Sequence, residues 1–321
     1  MRAVQVVRWD GPAAVELRDV PEPQQRGDDV LIDVRAAGVS FPDVLQTRGL
    51  DQYRPELPYT LGAEVAGVVR EAPPRARVRP GDRVVAFTGA GAFADVVAVP
   101  ADHVLPLPEQ LSFTTGACLP MNYMTAHFAL LTRGQLRDGH TLLVHGAAGG
   151  IGTACIQLAT ALGARVIAVV SSHSKHEVAL AAGAHATVGV RGFREAVFEL
   201  TAGTGVDLVV DPVGGDRFTD SLRCLSPGGK LLVIGFTAGE VPTVRVNRLL
   251  LSNIDVVGIS WGAFALGRPG YLAQQWAELQ PHLRSGALAP LISATISLEL
   301  AADALAVLDE RRVTGKVVLQ M

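Results

Sequence analysis

The chain is predicted to be an α/β protein, an antiparallel β domain joined to a doubly wound parallel sheet. Three observations predict this: a length of 321 residues, a change of hydrophobic rhythm near Thr141, and four glycines in "LLVHGAAGGIGTACIQLA" (142–159). The length exceeds what one ordinary core fills and suits two domains. With 49% hydrophobic and 18% charged residues, there is ample material to bury.

Residues 1–110 read as short alternating segments, "RAVQVV", "DVLIDVRAAGVS", "AEVAGVVR", "DRVVAF" and "ADVVAVP", separated by Pro and Gly. Period-two alternation of this kind marks antiparallel strands. From Thr141 apolar strands alternate with helix-length segments: "TLLVHG", helix 151–162, "RVIAVV", helix 174–182, "ATVGV", helix 193–201, "VDLVVD", helix 216–225, "KLLVIGF" and "IDVVGIS". Near-continuous apolar strands with helices between them make a parallel sheet covered on both faces. In the tail, "YLAQQWAELQPHLRSG" reads as an amphipathic helix, and the final "KVVLQM" as a strand that needs a sheet elsewhere. The expected division is a β domain over 1–122, the parallel sheet over 123–270, and a return to the β domain over 271–321.

A formal net charge of −3 gives no electrostatic reason to expect nucleic acid or an anionic membrane as partner. The three cysteines, Cys118, Cys155 and Cys224, form no CxxC pair, which argues against a disulfide framework or a structural zinc knot. The N-terminus lacks the layout of a signal peptide, and Gly149, Gly150 and Gly152 break the apolar region 142–170, so a cytoplasmic protein without a membrane span is expected.

In "HGAAGGIG" the glycines fall at Gly146, Gly149 and Gly152, with Gly150 as a fourth and Ala148 where the usual GxGxxG fingerprint has a glycine. A helix opening near Gly150 directs free backbone N–H groups and its positive end at a pyrophosphate. Gly149, Gly150, Ile151 and Gly152 are therefore the expected dinucleotide residues. An NAD site carries Asp or Glu at the end of the second strand. Here Val170 stands there, followed by "SSHSKH", where Ser171, Ser172 and Lys175 can donate to a 2′-phosphate. Acid absent and donors present predict NADPH. His173 and His176 are read as solvated loop residues.

The segments "AAGVSFPDVLQTRG" (36–49), "LPYTLGAEVAGVV" (57–69), "RPGDRVVAF" (79–87), "DPVGG" (211–215), "LSPGGKLLVIGF" (225–236), "NRLLLSNIDVVGISWGAF" (247–264) and "RRVTGKVVL" (311–319) carry a resemblance. Together with the glycine turn they resemble the zinc-independent medium-chain dehydrogenase/reductases, close to NADPH:quinone oxidoreductases of the zeta-crystallin type. The resemblance implies a GroES-like catalytic domain, a Rossmann domain with NADPH between the two, and a homodimer joined along 254–260; Trp261 and Phe264 are read as lining either the cleft or, in preference, the dimer seam. It places Gly235, Phe236, Thr237 and Thr125 near the nicotinamide, and Asp211 to Gly214, including Val213, under the adenosine side. Arg191 matches a position near the 2′-phosphate, although the tyrosine that often precedes it is Val190 here.

The zinc-dependent members of the superfamily have a metal-binding Cys and His where this chain has Ser40 and Ala63, so no metal is expected; Glu64 is read as a structural partner. Without a Lewis acid, the implied chemistry is hydride transfer to a quinone or, alternatively, to an alkene conjugated to a carbonyl. A non-catalytic NADPH-binding role is the alternative of another class. The proton needed for reduction is assigned to Tyr53, Tyr123, Ser40 or water, and substrate contacts to Ser40, Tyr53 and Asn122. The family pattern is kept at Asp43, taken as a loop anchor, and departs at Ser40, Leu45 and Asp51. Tyr53 either restores the lost hydroxyl or caps its own loop, and Asn122 either bonds substrate or turns backbone. Lys316 in "TGKVV" is noted as a candidate to face the cleft and is given no catalytic or binding role.

Overall fold

A computed structural model describes every residue except Gln52 and Tyr53. In chain order the first elements are β1 (Arg2–Val6), β2 (Val15–Asp19), β3 (Asp29–Val39), α1 (Phe41–Thr47), β4 (Tyr59–Thr60), β5 (Glu64–Glu71), β6 (Arg83–Phe87), β7 (Val96–Pro100) and β8 (Val104–Pro106). Helices α2 (Phe113–Gly116) and α3 (Pro120–His127) follow. Strand and helix then alternate: β9 (Thr141–Val144), α4 (Gly150–Ala161), β10 (Arg165–Val170), α5 (His173–Ala181), β11 (Ala186–Gly189), α6 (Phe193–Leu200), β12 (Val206–Asp211), α7 (Phe218–Arg223), β13 (Leu225–Val233), α8 (Asn247–Ser252) and β14 (Asp255–Gly258). The chain closes with α9 (Trp261–Ala265), α10 (Tyr271–Arg284), β15 (Ile292–Ser297), α11 (Ala301–Asp309) and β16 (Lys316–Gln320).

Two compact units result: Met1–Asn122, Ala265–Gln280 and Ile292–Met321 form one, and Tyr123–Phe264 with Pro281–Leu291 form the other. In the first, a sheet runs β15-β16-β3-β5-β6-β8, with β7 also paired to β3, beside a smaller sheet β2-β1-β4. Strand β3 is at its centre because "DVLIDVRAAGV" is buried at nearly every position and can be covered on both faces. The final strand joins this sheet antiparallel to β3, with Val317 opposite Val39 and Leu319 opposite Ala37. Its four buried residues, Lys316 to Leu319, have no place at a solvent-facing edge.

The second unit carries a six-stranded sheet in the order β11-β10-β9-β12-β13-β14, all neighbours parallel. Its core joins Leu143, Ile167, Val209 and Leu231 from the strands to Phe193, Val197, Phe218 and Leu222 from α6 and α7. The order reverses between β9 and β12, the switch point at which open α/β sheets take their ligands.

Three details depart from the sequence reading. Strand β13 starts at Leu225 and takes in Pro227 to Gly229 across a register shift, which shortens the helix before it to Phe218–Arg223. Strand β14 is shorter than 254–260. Residues 281–291 cluster with the second unit, where the Ala289 N–H and C=O both bond the Gln157 side chain. Among the described residues no helix is long and apolar enough to cross a membrane.

Candidate active site

Every residue expected to hold the dinucleotide, other than Thr125 on α3, follows the carboxyl end of a strand of the parallel sheet. Gly149 caps α4 after β9, Ser171 and Ser172 follow β10, Arg191 follows β11, Val213 follows β12, and Gly235, Phe236 and Thr237 follow β13. Parallel strands in register bring these five loops to one edge, although they span almost ninety residues of sequence.

The turn before α4 is built by its glycines. Gly146 has φ +58°, a left-handed conformation that side chains disfavour, and its carbonyl accepts the Gly149 N–H at 2.9 Å. A Cβ on Gly152 would lie 2.3 Å from the Gly146 oxygen, so only glycine lets the helix pack this close to the loop. The first bond inside the helix runs from Thr153 N–H to Gly149 C=O (2.9 Å), leaving the amides of Gly150, Ile151 and Gly152 ahead of it. No carboxylate stands in that first turn. A twelve-residue helix opening on bare glycine backbone fits a pyrophosphate.

The end of β10 leads directly into α5. Ser172 is its N-cap, accepting the Lys175 N–H (3.4 Å) on a hydroxyl that also contacts Ser174 (3.1 Å), a structural duty the sequence reading did not assign. Both histidines lie in α5: His176 bonds Thr187, while His173 is 88% exposed, near Glu177. Asp211 is buried; one carboxylate oxygen accepts the Val213 and Gly214 N–H groups (2.8 and 2.9 Å) and fixes the loop after β12. Burial pushes its pKa above the usual carboxylate range, against those two bonds.

A second constellation lies in the first unit. Val317 pairs with Val39, and one step further along the two strands Lys316 meets Ser40. The Lys316 ammonium donates to Ser40 Oγ (2.6 Å) and to Glu64 Oε1 (2.5 Å), and Glu64 Oε2 accepts the Met121 N–H at the start of α3 (2.8 Å). Side-chain exposure is 5% for Lys316 and 0% for Glu64, so this is a desolvated ion pair. Gly38 makes room for it: a Cβ there would stand 2.6 Å from Glu64 Oε1. Asp43 accepts the Ser40 N–H (2.7 Å), and burial pushes its carboxyl up to about 7 against the attraction of Lys316. The sequence reading noted Lys316 only as a candidate to face the cleft and gave it no partner. The signal was present as one cation and one anion, each isolated in an otherwise apolar strand, "TGKVVL" and "GAEVAGVV".

Of the other expected residues, Asn122 is buried at the end of the first unit and Thr125 is partly exposed on α3. Tyr53 lies outside the described residues. Tyr123 is buried, and its hydroxyl donates to Gln157 (2.6 Å). Trp261 is buried in the single chain, and Phe264 packs against Phe128 with ring centroids 4.8 Å apart. Burial raises the thiols of Cys118, Cys155 and Cys224 to about 12, so they remain protonated and poor nucleophiles. Among the described residues no three His, Cys, Asp or Glu side chains are grouped to hold a metal ion. With Ser40 and Glu64 both bonded to an ammonium, the donor set does not fit a catalytic zinc.

An antiparallel β unit with a doubly wound unit whose glycine turn sits at the sheet's carboxyl edge defines a medium-chain dehydrogenase/reductase. Residues 26–109 match the alcohol dehydrogenase GroES-like domain and residues 150–279 the zinc-binding dehydrogenase family. The chain is 35% identical over 94% of its length to quinone oxidoreductase-like protein 2 of Bos taurus, covering 87% of that protein. A probable oxidoreductase from Mycobacterium abscessus superimposes with TM-score 0.92 at 42% identity, covering 100% of this chain and 99% of that one. A mycobacterial protein solved in complex with NADPH superimposes with TM-score 0.94 at 33% identity, with both chains covered in full. This chain belongs to the quinone oxidoreductase family, a family of oxidoreductases.

Proposed function

We propose that the protein reduces quinones with NADPH by hydride transfer, without a metal ion. The observation that carries this reading is the end of β10: Val170 is followed by Ser171, Ser172 and the amino end of α5 with Lys175, donors for a phosphate where an NAD site needs a carboxylate. The relatives named quinone oxidoreductase support the acceptor, and the mycobacterial neighbour solved with NADPH supports the cofactor.

In this reading the amides of Gly150, Ile151 and Gly152 hold the pyrophosphate, Ser171, Ser172, Lys175 and Arg191 hold the 2′-phosphate, and Val213 lines the adenosine side. Gly235, Phe236, Thr237 and Thr125 orient the nicotinamide, while Ser40, Asn122 and Tyr53 face the acceptor. Bound NADPH supplies a hydride; the protein supplies orientation and a water-poor surface. Ser40, at a position where zinc-dependent relatives carry a metal ligand, is bonded instead to the Lys316 ammonium. Two copies pair along β14, the edge strand of the parallel sheet.

Purified protein tests this directly. Oxidation of NADPH in preference to NADH with a simple quinone, and none with an enone or enoyl thioester, is expected. The reverse acceptor pattern would make it an alkene reductase, and tight NADPH binding without turnover on any acceptor would make it a binding protein.

A further inference from the structure

The proposed reduction consumes a proton as well as a hydride, and the first unit holds a buried ammonium against one of the expected substrate residues. We infer that Lys316 is the proton reservoir of this reaction and that Ser40 relays its proton to the acceptor oxygen, an inference that rests on the quinone reductase reading.

Hydrogen-bond direction points the relay outward. An ammonium has only donors, so in the 2.6 Å contact Lys316 donates and Ser40 Oγ accepts. Ser40's own proton then has one protein acceptor among the described residues, Glu64 Oε1 at 3.4 Å, which is long for an O–H···O bond. Ser40 thus donates to Glu64 over a long contact, and an acceptor oxygen at a shorter distance would compete for that proton. Glu64, tied by its other oxygen to Met121, holds the ammonium in place. The groups facing Lys316 are Glu64 from β5, Ser40 at the end of β3, Asp43 from α1 and Cys118 from the segment between α2 and α3.

The step balances. Two electrons reach the quinone with the hydride and leave negative charge on a quinone oxygen. The Ser40 O–H bond breaks as an O–H bond forms on that oxygen, and a Lys316 N–H bond breaks as Ser40 regains its proton. Lys316, then a neutral amine, takes a proton from water before the next cycle. Ser40 is the catalytic group in this scheme, and Lys316 acts through it.

The test compares the unaltered protein with Lys316→Arg, Ser40→Ala and the double variant Glu64→Gln/Lys316→Met, assayed with NADPH and 1,4-benzoquinone between pH 5 and 10 in H2O and D2O. Arginine keeps the charge and the pairing with Glu64 but does not give up its proton. The expected result is a kcat lowered about 100-fold in all three, with KM little changed and the solvent isotope effect altered. The double variant removes both charges together, so its loss cannot be assigned to an unpaired buried carboxylate. A Lys316→Arg variant with kcat within about twofold of the unaltered protein would overturn the inference and leave the pair structural.

A second readout needs neither cofactor nor turnover. The chain has three lysines, Lys175, Lys230 and Lys316, so a 15N-lysine NMR spectrum of the ligand-free protein resolves each ammonium. The Lys316 signal is expected to be protected from exchange and to shift in Ser40→Ala; an unshifted signal would also overturn the relay. Failure of the unaltered protein to oxidise NADPH with any acceptor is a different result, one that removes the quinone reductase reading itself.

Discussion

Asp43 is fully enclosed, with one carboxylate oxygen on the Ser40 N–H and the other without a partner among the described residues. Glu64 and Asp51 repel its charge, and Lys316 attracts it. Its folded-state value of about 7 lies above the ordinary 3.8, so between the two the folded chain holds a proton that the unfolded chain has released. Stability from this residue is therefore present at low pH and falls as pH rises from about 4 to about 7, by at most on the order of 4 kcal/mol at 1.36 kcal/mol per pKa unit. Asp43→Asn retains an acceptor for Ser40, and urea denaturation at pH 5 and pH 8 is expected to give a smaller difference in the variant than in the unaltered protein. Lys175 is expected to act on ligand choice. Lys175→Ala removes a charge-assisted bond of about 1.5–3 kcal/mol. Calorimetry should show NADPH binding weakened at least about tenfold with NADH unaffected; equal effects on both would remove the 2′-phosphate assignment.

Among the elements, α4 and the turn before it are the most constrained. Gly152→Ala places a methyl carbon 2.3 Å from a backbone oxygen, so helix and loop have to separate. The expected outcome is a loss of roughly 1–3 kcal/mol in thermal unfolding together with weaker NADPH binding. Normal affinity at normal stability would show that the close packing is dispensable. This element was legible in the sequence because its requirements are local: glycine spacing, an apolar strand before it and an apolar helix after it. The cap of α5 was less legible, since Ser172 was read only as a phosphate donor while its hydroxyl also serves the Lys175 amide. Strand β13 was misplaced at its start because "SPGG" reads as a turn, and only pairing with β12 draws it into the sheet.

For the whole molecule, the surface beside β14 is the feature a lone chain leaves unexplained. Leu250 and Leu251 on α8 are 76% and 78% exposed, next to an edge strand with unpaired backbone groups. Sedimentation equilibrium is expected to give twice the 33.7 kDa chain mass, and Leu250→Glu/Leu251→Glu to give the single mass. A monomeric unaltered protein would remove the pairing proposed here. At this scale the division of labour between sequence and fold is plain. Hydrophobic periodicity and glycine spacing are properties of short segments, so the sequence by itself determined the two kinds of sheet, the order of elements and the glycine turn before α4. The contact between Lys316 and Glu64 joins residues 252 positions apart, and that between Lys316 and Ser40 joins residues 276 apart. Strand register decides such meetings, and register is settled by the packing of the whole sheet; only the tertiary structure could show that a lysine near the end of the chain stands behind the serine of the first domain.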